Sequence, residues 1–347
     1  MKNKLLLYFS ILSYICSNAQ SGGNGTYSFL NLSSPARTAA LGGTLISIKD
    51  NDLNLSFQNP SLLDSTMHNS LSLSYIDYLS DIKYGYAAYS RTYKKIGSFS
   101  AGMQFLDYGD FDAANTIGEI TGKFYASDYS LNLAYARPLI DSMLSVGATV
   151  KTIYSKLGEY TSIGNALDIG TVYYNNKHLF SAGLIIKNIG KQWKTYTVHH
   201  EPLPFEIQLG VSKKINHAPF RINFTFIHLE KWDLTYINPN AIVTDPITGL
   251  VIEKSKFSKW ADKLGRHVVF GGEVLISKNF HLRLGYNYLR RQEMKIGTKP
   301  GIAGFSFGFG LKVYKFNLSY AYAKMHLAGG PNHFTITTNL SEFYTRH

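Results

Sequence analysis

The sequence lacks several things that define common protein classes. It has one cysteine in 347 residues, which excludes a disulfide scaffold. It has no apolar run near the roughly 20 residues a helix needs to cross a bilayer, which excludes a helical membrane protein. Charge is sparse: Asp, Glu, Lys and Arg make up 17%, against roughly 25% for an ordinary soluble domain. Acidic residues are scarcest, 23 against 35 Lys plus Arg, for a net charge of +12. Basic helices, zinc-finger spacing and aromatic–basic RNA motifs are missing, so the excess does not point to nucleic acid. Present in abundance are 25 Tyr, 21 Phe and 30 Gly, and an aromatic share of 14% excludes disorder. What remains is a mostly β chain.

Residues 1–19 have the make-up of an export signal. Lys2 and Lys4 precede the apolar stretch Leu5–Cys16, and Ser17-Asn18-Ala19 supplies small residues before a cleavage site. Cleavage is expected between Ala19 and Gln20, which removes Cys16 and leaves a cysteine-free mature chain of charge +10. Residues 20–68 precede the β region. The Ala-rich stretch between Ser34 and Gly43 is expected to form a short helix capped by Ser33 or Ser34, with Pro35 at its first position and Gly42-Gly43 at its end. This segment is read as a plug or periplasmic lid, ahead of a β-barrel in residues 69–347.

From about Asn69 the sequence alternates with period 2, the mark of strands with two unlike faces. Phe280, Leu282, Leu284, Tyr286 and Tyr288 alternate with His281, Arg283, Gly285 and Asn287. Phe305, Phe307, Phe309 and Leu311 alternate with Ser306, Gly308, Gly310 and Lys312. Fourteen such segments are expected, at 69–79, 81–92, 96–107, 124–137, 142–155, 163–174, 178–189, 203–214, 217–229, 265–277, 279–290, 301–313, 315–325 and 331–341. Soluble strands usually run about five or six residues, whereas a tilted membrane strand needs about nine to eleven. Connections alternate between short turns and longer loops (108–123, 156–162, 190–202, 230–264, 291–300, 326–330), as in outer-membrane barrels. The reading is all-β: a 14-stranded antiparallel transmembrane β-barrel in the outer membrane of a Gram-negative bacterium, with an N-terminal plug or lid.

One face carries aromatics near strand ends (Tyr84, Tyr135, Tyr288, Tyr320), suited to the lipid–water boundary. The opposite face carries Lys151, Asp168, Lys187, Glu206, Arg221, Glu273, Arg283 and Lys312, which then point into the lumen. Enclosed charges must be paired or wetted, so a structural network is expected there. The loop around 230–264 holds Trp232, Tyr236, Ile242, Ile247, Leu250 and Trp260, an apolar content that suits a partner-binding loop.

The stretch Ala36–Leu63, with Leu41-Gly42-Gly43, an Asp/Asn-rich step and Asn59-Pro60-Ser61, resembles the amino-terminal part of the PorV/PorQ family, which is related to FadL-type fourteen-stranded barrels. Gly22–Leu32, Glu201–Arg221 and Lys231–Tyr236 resemble its PorQ branch, so the likeness runs through nearly the whole mature chain. The resemblance implies a non-enzymatic component of the type IX secretion and attachment complex. It implies contact with a PorZ-like surface protein, which recognises anionic lipopolysaccharide, and indirectly with a PorU-like sortase and a PorV-like barrel. Outer-membrane lipid and lipopolysaccharide surround such a protein.

Other chemistry is weakly signalled. Asp50-Asn51-Asp52 opens like a calcium loop, but Leu55 and Ser61 occupy the positions that need Gly and Glu, so an Asx turn is expected. His199-His200-Glu201 has no third ligand at useful spacing. No nucleophile signature stands out, and neither an enzyme nor a cofactor is expected. The alternative to the secretion role is a FadL-like transporter of hydrophobic small molecules. A third class, a soluble exported β protein, predicts extraction without detergent.

Overall fold

The computed structural model describes residues 25–78, 82–140, 143–235, 255–294, 301–325 and 329–344. The cleavage site at Ala19 and Gln20, and the loop residues Tyr236, Ile242, Ile247 and Leu250, lie outside them.

Fourteen antiparallel strands close into a barrel: β1 (Ser70–Asp77), β2 (Lys83–Tyr93), β3 (Gly97–Ala114), β4 (Ile120–Ile140), β5 (Leu144–Leu157), β6 (Tyr160–Asn175), β7 (Phe180–Lys194), β8 (Glu206–Lys214), β9 (Phe220–Phe226), β10 (Val268–Val274), β11 (Phe280–Asn287), β12 (Phe305–Val313), β13 (Phe316–Ala323) and β14 (Asn332–Asn339). Each strand pairs with its sequence neighbour, and β1 pairs with β14 to close the ring. Closure leaves no unpaired edge, which is what lets a sheet cross hydrocarbon. Among the described residues, five short α-helices accompany the barrel: α1 (Ala36–Ala40), α2 (Asn54–Gln58), α3 (Lys256–Arg266), α4 (Tyr288–Met294) and α5 (Ser341–Tyr344).

The alternation sorts the two faces. Leu131, Leu133, Leu282, Leu284, Phe307 and Phe309 are exposed on the outside, while Asn132, Ala134, Arg283, Ser306 and their neighbours are buried inside. Such an apolar exterior exceeds what a water-facing surface carries, and it fits lipid. The outer rows include Phe309–Tyr320 and Tyr320–Phe334 ring pairs at 5.7 and 5.2 Å. Tyr84 departs from the expected girdle. It is fully buried on the inner face, where Gln104 Nε2 donates to its hydroxyl at 2.6 Å.

The wall is uneven. β3 and β4 continue to Ala114 and from Ile120, so most of 108–123 is hairpin rather than loop. A register shift between Asp107 and Asp110 breaks the alternation there, and Phe111 stacks on Phe124 at 5.1 Å beyond it. The 156–162 connection is likewise a tight turn, since β5 ends at Leu157 and β6 starts at Tyr160.

Residues 25–68 run down through the lumen. At the long-loop end Thr26 N donates to Pro202 O, and Tyr27, Phe29 and Leu30 pack on Ile76, Tyr84, Leu106 and Ile153. At the short-turn end Met67 packs on Ala88 and Ala136, next to the start of β1. Inward glycines make room for this backbone. A Cβ on Gly285 would stand 2.2 Å from Gly42 N, and one on Gly170 would stand 2.0 Å from Asn59 Oδ1.

Candidate functional site

The N-terminal segment is held by its own turn chemistry and by the wall. Neither Ser33 nor Ser34 caps α1. Its first N–H, on Ala36, donates to Thr335 Oγ1 of β14 at 2.9 Å, and Ser34 Oγ bonds Tyr84 instead. A barrel side chain thus satisfies one of the donors a helix start leaves open. Gly42 and Gly43 both have φ near +98°, the left-handed side that glycine takes freely, and Gly43 N closes the helix on Thr38 O at 2.9 Å. Gly42 N donates to Ser306 Oγ at 3.1 Å, and its carbonyl accepts from Asn287 Nδ2 at 3.2 Å. Leu41 packs with Leu45, Leu55 and Leu62. Asn59 donates from Nδ2 to Ile46 O at 2.9 Å and accepts from Ser61 N and Oγ, and Pro60 opens the next turn.

Two charge clusters tie the segment to the barrel. Arg37 on α1 donates through Nε and Nη2 to the two carboxylate oxygens of Glu273 (both 2.9 Å), and through Nη1 and Nη2 to Asp50 (3.0 and 2.7 Å). Nη1 also reaches Asp52 at 3.2 Å. Arg221 bridges Asp50 and Glu273 at 2.9 and 3.0 Å, and Arg283 Nε holds Glu273 at 3.0 Å. Three guanidinium groups therefore meet three carboxylates. Asp50 and Asp52 are arginine ligands, and Asp52 Oδ1 also forms an Asx turn with Asn54 N at 3.1 Å. Burial pushes the Asp50 carboxyl up, but the Arg37 and Arg221 charges outweigh it and hold it well below the usual carboxylate range.

In the second cluster Lys151 Nζ meets Asp168 at 2.7 Å and Asn188 Oδ1 at 2.8 Å. Asn188 in turn donates to Asn31 Oδ1 and Pro204 O. Of the charges read from the sequence, Lys151, Asp168, Lys187, Glu206, Glu273 and Arg283 are buried on the inner face and Arg221 is partly so. Lys312 follows the inward phase of β12 but sits at its short-turn end, exposed.

Beside the segment, toward the long-loop end, lies a cavity of about 290 Å³. Leu32, Ile227, Leu289 and Met325 supply apolar wall, and Tyr78 closes one side. Lys187 and Arg290 bring positive charge; Glu206 and Glu293 bring negative charge. Lys187 is only 5% exposed, yet its ammonium has no ion-pair or hydrogen-bond partner among the described residues. Glu206, its cross-strand partner, is 3.8 Å from His228, which also meets Glu230 at 3.1 Å. Burial lowers the His228 pKa, but Glu230 and Glu206 more than offset that, and it stands above the ordinary histidine value. Arg290, His228 and Glu293 were not singled out in the sequence, since they sit at strand ends and on a short helix where alternation stops.

Of the candidate loop, Trp232 and Trp260 are described, and both are exposed. Trp232 stacks on His267 at 5.6 Å, and its carbonyl lies 3.1 Å from His267 Nε2. Trp260 stands apart on α3, stacked on Phe257 at 6.2 Å.

No family model matches the chain, and no curated protein matches it. Solved structures do. The Pseudomonas putida toluene transporter TodX is 11% identical over 90% of this chain and 99% of its own, with a TM-score of 0.51. A Pseudomonas aeruginosa FadL homologue is 9% identical over 88% and 98%, with a TM-score of 0.48. At such identity the likeness is one of fold, and this chain has the FadL-like, fourteen-stranded outer-membrane barrel architecture.

Proposed function

We propose that this chain is an outer-membrane channel for small, partly apolar solutes that enter from the long-loop end. The observation that carries this reading is the 290 Å³ cavity between the N-terminal segment and the wall, with apolar side chains set around a few charged groups. Taking about 30 Å³ per water-sized group, it has room for roughly ten non-hydrogen atoms. TodX, whose barrel is alike, is a transporter of toluene, a solute of that size class. Passage onward requires residues 36–48 to shift. The test is uptake of p-toluenesulfonate, a permanently charged relative of toluene that lipid excludes, by vesicles containing the purified chain. Saturable uptake above protein-free vesicles supports the reading, and uptake equal to them refutes it.

A second reading follows from the occupied lumen. A barrel filled by its own chain suits an anchor, the role that resemblance to the PorQ branch of the type IX secretion apparatus implies. Its partner would be a PorZ-like surface protein, near a PorU-like sortase and a PorV-like barrel, gripped by the loop that holds Trp232 and residues 236–254. Residues 1–19 would be its cleaved export signal. Deleting residues 238–258 should leave the barrel in the membrane and release the surface partner. Recovery of the partner at normal yield from detergent-solubilised outer membranes would count against this reading.

A further inference from the structure

The β9–β10 connection carries α3, KFSKWADKLGR, whose amino-terminal half is exposed and whose carboxy-terminal half, residues 262–266, packs on the barrel. Asp262 Oδ1 accepts the Tyr288 hydroxyl at 2.8 Å, and a Cβ on Gly265 would meet the Tyr288 ring at 3.0 Å. Tyr288 stands 6.5 Å from Tyr286, and Tyr286 is on the outer face, 4.7 Å from outward Phe305. The carboxy-terminal part of α3 is therefore seated on the outside of the rim, against the aromatic row that borders the lipid-facing band.

The helical repeat fixes what the other sides present. At 100° per residue, Phe257, Trp260, Ala261 and Leu264 share one stripe, with Asp262 on the opposite side of α3 and Gly265 at the stripe's edge. The exposed part of that stripe is its amino-terminal half, since Leu264 is half-buried. Phe257 is 76% exposed and Trp260 51%, and their rings are stacked. Lys256, Lys259 and Lys263 line one flank, and Lys263 meets Asp233 at 2.6 Å. With Arg266, α3 holds four cationic residues and one acid, in a chain of net charge +12.

We propose that α3 is an interfacial helix that seats Phe257 and Trp260 in the outer leaflet and sets its lysine flank against lipid phosphate. A helix with an apolar stripe and a basic flank lies in the plane of an interface. Two observations choose lipid over a protein partner. The helix is seated beside the outward aromatic row of β11 and β12, through Tyr288. The flank is positive, which complements an anionic phosphate surface. Trp260, a partner-contact candidate in the sequence, thereby belongs to lipid, and partner contact falls to Trp232 and residues 236–254.

The full chain offers a direct readout, because it has three tryptophans. Trp193→Phe with Trp232→Phe leaves Trp260 as the sole emitter. In vesicles of brominated phosphatidylcholine its emission should fall at least twofold, with little quenching by aqueous acrylamide. Adding phosphatidylglycerol should deepen the bromine quenching, and Lys256→Gln with Lys259→Gln should cancel that increment. If the double Trp variant fails to fold, Ala261→Cys in a Cys16→Ser background, labelled with an environment-sensitive dye, reads the same stripe. Strong acrylamide quenching without bromine quenching overturns the proposal. So does protection of Trp260 that arises only when other outer-membrane proteins are added, which assigns the stripe to a protein.

Discussion

Replacing Arg37 by Ala should loosen the N-terminal segment without opening the barrel. Arg37 donates to Glu273, Asp50 and Asp52, and removing it leaves three carboxylates with two guanidinium groups. Breaking a buried ion pair from one side costs about 3–5 kcal/mol. Here the low end applies, because Arg221 and Arg283 remain on Glu273 and Asp52 is partly wetted. At 1.36 kcal/mol per tenfold, about 3 kcal/mol raises the population of the displaced segment by roughly 10²-fold. Hydrogen exchange in micelles reads this directly. The Ala36, Gly42 and Gly43 amides, bonded to Thr335, Ser306 and Thr38, should exchange about 100-fold faster, while β12 amides keep their protection. The acid dependence has a defined sign. The Asp50 carboxyl is depressed when folded, so its contribution is complete above the free-carboxyl value near 4 and is lost as pH falls below it. Wild-type protection should then be flat from pH 8 to about 4. A change below about threefold in Arg37→Ala, or equal acceleration across the strands, refutes the latch.

Gly285→Val should displace residues 40–43 from the wall, since even a Cβ meets Gly42 N at 2.2 Å; proteolysis of the folded barrel within 36–48 would report it. Lys187→Met should abolish any preference of the cavity for p-toluenesulfonate over toluene, at least tenfold by calorimetry, because it removes an enclosed ammonium that has no partner among the described residues. His228 gains its proton's stability from Glu230 and Glu206, fully present below about 6.5 and lost as pH rises through its raised folded value. Anion affinity at the cavity should therefore fall as pH rises through that raised value, and His228→Gln should flatten that profile.

The strand pattern was written into the sequence because it is local. Lipid outside and a polar interior inside demand unlike neighbours at every step, so Leu282, Arg283 and Leu284 announce their faces without any knowledge of the rest of the fold. Where that demand lapses, the pattern goes silent. At Asp107–Asp110 the register shift resets the phase, so the extension of β3 and β4 read as loop. Tyr84 had the right residue type for a girdle but faces the lumen, because phase and not aromaticity sets direction.

The tertiary structure alone decided how the segment before the barrel is used. Arg37 meets Glu273 across 236 positions, and Gly42 rests on Gly285 and Ser306 from two neighbouring strands. Those meetings depend on how fourteen registers add up around the closed ring, a sum that no window of sequence contains. The same holds for the cavity, whose walls come from six strands together with helices and loops, and for the seat of α3 outside Tyr288. Composition and alternation are properties of neighbours along the chain, whereas enclosure is a property of the closed surface.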